Sequence, residues 1–219
     1  RGSDKVLFGN FTDAEVTSST VISSLDSDGF SIGSDGGVNA SGQTFVGWAW
    51  DAGTAVSGNT TGSGTAKTYS GSVNTESGFS IIKYVGNGTA GHTIPHHLGK
   101  APTFIIVKEI NTANNWRVWG TGVSIAKALG LNTTNAEENS GNNNGNWNNT
   151  LPTDTVFSVG SFNSGNRNNG NLIAYCFTDI EGYSKAGKYI GNNSNDGPFV
   201  FTGFRPAFVI IKESSASGN

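Results

Sequence analysis

The sequence predicts an all-β protein built from β-sandwich modules of the jelly-roll or lectin-like kind, set in tandem and in permuted phase. Three observations carry this. The apolar runs are short and β-rich, as in Phe104-Ile105-Ile106-Val107, Leu172-Ile173-Ala174-Tyr175-Cys176-Phe177 and Phe208-Val209-Ile210-Ile211, and Gly, Asn, Pro and Asp clusters separate them. Aromatic residues make up 11% of 219 residues while charged residues make up only 13%, so a core is available and the polar surface must come from Asn, Ser, Thr and Gly. The chain also repeats itself.

The repeat sets the expected domain organisation. FIIVKE at 104–109 returns as FVIIKE at 208–213, and KYVGN at 83–87 returns as KYIGN at 188–192. A second set links the start to the middle: KVLFGNFTDAE at 5–15 with KALGLNTTNAE at 127–137, FSIGS at 30–34 with FSVGS at 157–161, and VGWAW at 46–50 with IAYCF at 173–177. Residues 78–181 therefore read as one complete sandwich. Residues 1–51 read as the back part of another copy and 182–219 as the front part of a further one. Head and tail together would make a second, incomplete module, lacking only the equivalent of WRVWGTG at 116–122, and they are expected to pack side by side. Residues 52–77, rich in Gly, Ser and Thr, read as a linker or long surface loop. The absence of Met suggests a fragment or a processed product.

Along the chain, LDSDG at 25–29 reads as a turn before the strand at Phe30 rather than a calcium loop, because it lacks the full ligand spacing. FIIVK reads as a strand buried on both faces. VGWAW and IAYCF alternate small and large residues, the pattern of a central strand with its aromatics on one face. NTTNAEEN at 132–139 and its copy near Asn10–Glu15 carry the helical signal, an Asn or Thr cap followed by acids.

Charge and composition narrow the function. Net charge is −3 and no basic run occurs, which argues against phosphate-directed nucleic-acid binding. No apolar run approaches the roughly 20 residues of a membrane span, so no membrane insertion is expected. The single cysteine, Cys176, cannot form an internal disulfide and reads as a small buried hydrophobe.

His92, His96 and His97 could hold a metal by residue type. The repeat replaces all three, so they read as polar turn residues, and no metal or cofactor is expected. Lys108-Glu109 and Lys212-Glu213 read as opposite-charge pairs at solvent-reaching strand ends. No acid pair, serine motif or phosphate loop stands out, so no catalytic residue is assigned and the chain is not read as an enzyme. The Asn-rich loops exceed what turns require. Asn143, Asn146, Trp147, Asn166, Asn168, Asn193 and Asp196 are the candidate ligand contacts, with amides and an aromatic suited to sugars.

GFSIIKYVGNGTAG, HHLGKAPTFIIVKE, LIAYCFTDIEGYSKAGKYIGN and DGPFVFTGFRPAFVIIK resemble repeated modules in structural proteins of marine tailed bacteriophages, of the tail-fibre or appendage type. The resemblance covers nearly the whole chain. It implies lectin-like sandwiches with a virion, extracellular location and no catalytic residues. The expected role is host attachment, with other virion chains and a host cell-surface glycan as partners, in a homo-oligomer such as a trimer. An architectural capsid-decoration or tail component is one alternative. A carbohydrate-binding module of an extracellular enzyme is the other.

Overall fold

A computed structural model describes residues 2–139 and 145–216. The strands are β1 (Lys5–Val6), β2 (Val16–Thr17), β3 (Ile22–Leu25) and β4 (Phe30–Ile32), then, after the one-turn helix α1 (Gly36–Asn39), β5 (Thr54–Asn59), β6 (Thr61–Gly62) and β7 (Thr68–Asn74). There follow β8 (Phe79–Val85), β9 (His92–Pro95), β10 (Phe104–Glu109), β11 (Arg117–Gly120), β12 (Lys127–Gly130), β13 (Glu138–Asn139) and β14 (Val156–Val159). A second one-turn helix, α2 (Asn163–Asn166), precedes β15 (Asn171–Phe177).

An eight-stranded antiparallel sheet runs in the order β13-β12-β11-β10-β15-β8-β7-β5. A three-stranded sheet, β14-β9-β6, lies against it, and β1-β2 and β3-β4 are separate hairpins. The fold is an all-β sandwich. Its core forms where the inward residues of both sheets meet: Ile82 and Tyr84 on β8, Ile105 and Val107 on β10, Leu172, Ala174 and Cys176 on β15, against Ile94 on β9 and Phe157 and Val159 on β14. Period-two alternation puts Ile173, Tyr175 and Phe177 on the opposite face of β15. There Phe177 meets Phe79 at 4.9 Å and Phe104 at 5.7 Å between ring centroids.

Several expectations need correction. Residues 52–77 are not a free linker: β5 and β7 extend the large sheet and β6 joins the small one. The helical signal at 132–139 gives no helix. Glu138 pairs with Ala128 in the sheet and holds Arg117 at 3.0 Å, while Glu137 holds Lys127 at 3.1 Å. Tertiary partners thus outcompete a helix too short to stand alone. The helical turns fall instead at α1, capped by Asp35 accepting from Gly37 N at 2.7 Å, and at α2. Lys108 and Glu109 do not reach solvent. Both are fully buried, and Lys108 Nζ donates to Thr12 O at 3.1 Å and to its neighbour's carbonyl at 2.7 Å.

The turn at 26–29 forms as read, with Asp26 N donating to Gly29 O at 2.8 Å. The repeat is visible in the structure itself. β1-β2 pairs Lys5 with Thr17 and Val6 with Val16; β12-β13 pairs Lys127 with Asn139 and Ala128 with Glu138, the same register 122 positions on. Likewise β4 and α1 correspond to β14 and α2, 127 positions on. The tail, by contrast, contains no strand among its described residues.

Candidate functional site

One end of the sandwich gathers a set of Asn-, Gly- and Thr-rich loops: 60–67, 86–91 and 163–170. They are tied together by Asn166, which is fully buried. Its Oδ1 accepts from Asn87 N at 2.9 Å and from His92 Nδ1 at 3.0 Å. Its Nδ2 donates to Thr89 O at 2.9 Å and Gly160 O at 2.8 Å. Asn87 continues outward, donating from Nδ2 to Ser63 O and Thr65 O, both at 3.0 Å. Because Asn166 Oδ1 can only accept, His92 carries its proton on Nδ1. His92 Nε2 then accepts from the Thr60 hydroxyl at 2.6 Å, and that hydroxyl oxygen accepts from Lys67 N at 2.8 Å. Burial holds the His92 pKa below its ordinary value, as a neutral tautomer in such a chain requires.

Backbone geometry explains the loop composition. Asn148, Asn149 and Asn169 have φ of 52°, 49° and 59°, a left-handed conformation that Asn tolerates through local hydrogen bonding. Gly86 must lack a side chain because a Cβ there would lie 2.3 Å from Arg167 O. Much of the Asn and Gly content is thus a requirement of tight loops. Among the polar side chains the loops expose are Thr61, Ser63, Thr65, Thr89, Asn163, Asn168 and Asn169, with Lys67 Nζ bonded to Asn169 Oδ1 at 2.8 Å.

The candidate ligand contacts separate. Trp147 is buried, 3% exposed, with its ring 6.4 Å from Phe157, so it belongs to the core and not to a sugar platform. Asn146 is buried beside it, and among the described residues its side chain has no hydrogen-bond partner. Asn166 is the buried hub. Asn168 is exposed at this loop cluster. Asn193 and Asp196 are exposed on the tail, in a separate turn closed by Asn192 Nδ2 donating to Asp196 O at 2.9 Å. Asn143 lies outside the described residues.

The histidines are not turn decoration. His92 and His96 are fully buried, and His96 Nε2 lies 3.1 Å from Thr153 O. Burial pushes the His96 imidazole down to about 4. His97 is exposed with φ 61° and contacts the Tyr69 hydroxyl at 2.9 Å. It borders a shallow groove with Asp154, Thr155 and Gly99. Among the described residues no three His, Cys, Asp or Glu side chains come together as a metal site. Glu109, fully buried, lies 2.6 Å from Arg167 Nε and also accepts from Asn114 Nδ2. It braces β10 against the 163–170 loop. Burial raises Cys176 to about 12, so its thiol stays protonated.

Sequence reasoning missed the hub because its partners are far away along the chain, 74 residues in the case of His92 and Asn166. The one available signal was the repeat, since Asn166 corresponds to Asn39. With this geometry in place, comparison with known proteins gives one match: the family model described as Domain of unknown function (DUF7483) covers residues 1–219. No curated protein and no solved structure matches.

Proposed function

We propose that this chain, which belongs to the DUF7483 family, is a structural and adhesive module of a phage-type fibre or appendage that holds polar loops against a host-surface glycan. The observation that supports this reading is the Asn166 hub. It locks three loops into one surface, so Thr89, Asn168, Asn169 and Lys67 present donors and acceptors from a backbone that is ordered before binding. Such a surface is shallow, and repeated copies in an oligomer would raise a weak single-site affinity. The reading places the chain outside the host cell, in a virion.

A glycan array probed with a multivalent display of the chain tests this. Binding to a subset of glycans is expected, falling by about tenfold or more in a Lys67→Ala, Thr89→Ala, Asn168→Ala variant that leaves the hub intact. No binding in multivalent form contradicts the adhesive reading.

A second reading, a purely architectural component, has its own support. Phe199, Phe201 and Ile211 are 89%, 77% and 67% exposed, and apolar surface of that kind favours assembly.

A further inference from the structure

Among the described residues, every exposed large hydrophobic side chain except Leu151 lies in residues 8–50 or 183–211. Several of these positions have repeat counterparts in the core of the first sandwich. Phe199 corresponds to Ile94, Val209 to Ile105 and Ile211 to Val107, and all three counterparts are fully buried. Parts of the head already fold as their counterparts do, β1-β2 in the register of β12-β13 and β4-α1 as β14-α2. The match extends to a side chain: Asn39 Nδ2 donates to Gly33 O at 2.8 Å, as Asn166 Nδ2 donates to Gly160 O at 2.8 Å.

The contacts between the head, the tail and the first sandwich are reciprocal. Glu15 N donates to Ile110 O at 2.8 Å, and Glu137 N donates to Ser214 O at 2.9 Å. Glu137 is the counterpart of Glu15, and Ser214 of Ile110, so the two bonds are the same bond with the repeats exchanged. The lysines do nearly the same: Lys108 Nζ donates to Thr12 O at 3.1 Å, and its counterpart Lys212 Nζ donates to Thr133 O at 2.8 Å, one residue before the counterpart of Thr12. Trp50 and Phe177 are counterparts of one another, and their rings meet at 6.4 Å. Exchanged contacts flanking a self-counterpart pair are the mark of a two-fold axis. Finally, Trp48 of the head touches Phe208 of the tail at 5.2 Å.

We propose that residues 5–50 and 182–213 of one chain close into a second sandwich, a permuted counterpart of the first without β11, which packs on it about a pseudo-two-fold axis through Trp50 and Phe177. The first sandwich supplies the register. Phe104 faces Phe177, Ile105 faces Cys176 and Ile106 faces Tyr175. In the second sandwich, Phe208 therefore faces Trp50, Val209 faces Ala49 and Ile210 faces Trp48, with 208–213 and 45–50 antiparallel. The Trp48–Phe208 contact is the diagonal neighbour of that register. The occupant of the exposed head surface is thus the chain's own tail. The direct ring contact and the reciprocal bonds, all within one chain, favour it over a tail donated by a second copy.

Hydrogen exchange on the isolated monomer tests the ladder in the unmodified protein. The amides of 45–50 and 208–213 are expected to be slowed by about 100-fold or more relative to unstructured chain. Unprotected amides there overturn the proposal. A cross-link tests the register. In a Cys176→Ala background, Ala49→Cys with Val209→Cys should form a disulfide within the monomer on mild oxidation, and Ala49→Cys with Ile211→Cys should not. A disulfide that forms only between chains makes a second copy the occupant and overturns the proposal. A disulfide favouring the slipped pair overturns the register.

Discussion

The first sandwich and its copy in the head and tail carry recurring motifs and bury them differently. Phe157 is 1% exposed between Tyr84 and Trp147, while its counterpart Phe30 is 42% exposed. Ile105 is fully buried in a strand flanked by β11 and β15, while Val209 is 60% exposed in a segment outside any strand. The pattern of residues is therefore not what buries a side chain. Neighbouring strands do that, and an apolar run becomes core only when its hydrogen-bonding edges are occupied.

That contrast can be broken most sharply at the aromatic pair. Phe157→Ala should cost about 3–5 kcal/mol in chemical denaturation through the cavity it leaves. Phe30→Ala should cost about 1 kcal/mol or less where head and tail stay open, and a cost approaching that of Phe157→Ala is what closure of the second sandwich predicts. Equal costs would mean that the head is packed as tightly as its twin.

The hub gives the next contrast. Asn166→Ala removes a side chain that bonds Asn87, His92, Thr89 and Gly160 in a buried place, and should cost on the order of 3 kcal/mol. Asn39→Ala removes one exposed bond to Gly33 and should cost about 0.5–1 kcal/mol. Amide exchange in loops 60–67 and 86–91 should speed up in the first variant alone.

A pH titration separates the repeats differently, because the tail holds no histidine. His96 has its pKa lowered to about 4, chiefly by burial, and His92 is lowered for the same first cause. A lowered histidine makes the unfolded chain bind more protons in the window between the two values. Its stabilisation is complete above the unfolded value near 6.5 and is lost as pH falls toward 4. His96 alone accounts for about 3 kcal/mol across that window. Denaturation midpoints measured from pH 7 to 4 should fall accordingly. Flat midpoints would mean that the imidazoles are solvated.

The smallest effect is expected at the reciprocal lysines. Lys212→Ala gives up one bond to Thr133 O and should cost about 1 kcal/mol or less, below the cost of Lys108→Ala, where two carbonyls lose a fully buried donor. Thermal denaturation of the two variants gives the comparison.

How much was legible follows from where the signals lie. The sandwich and the repeat could be read because apolar letters recur in order, and the aromatic face of β15 followed from its alternation. β5 and β7 were hidden: near the sheet edge they turn only Val56, Tyr69 and Val73 toward the core, and the rest of their residues look like linker. Trp147 was hidden by the asparagines around it, since local composition says nothing of its contact with Phe157. Buried His92 and His96 were hidden because their partners, Thr60, Asn166 and Thr153, come from other loops. The helical signal at 132–139 failed because Glu137 and Glu138 found cations in the sheet.

The most direct test of the proposed role is cryo-electron microscopy of the native particle or filament with this chain placed in the map. The account predicts loops 60–67, 86–91 and 163–170 facing outward at a distal surface, free of contacts with other chains. Those loops buried in a repeating lattice or shaft would contradict it and leave an architectural protein.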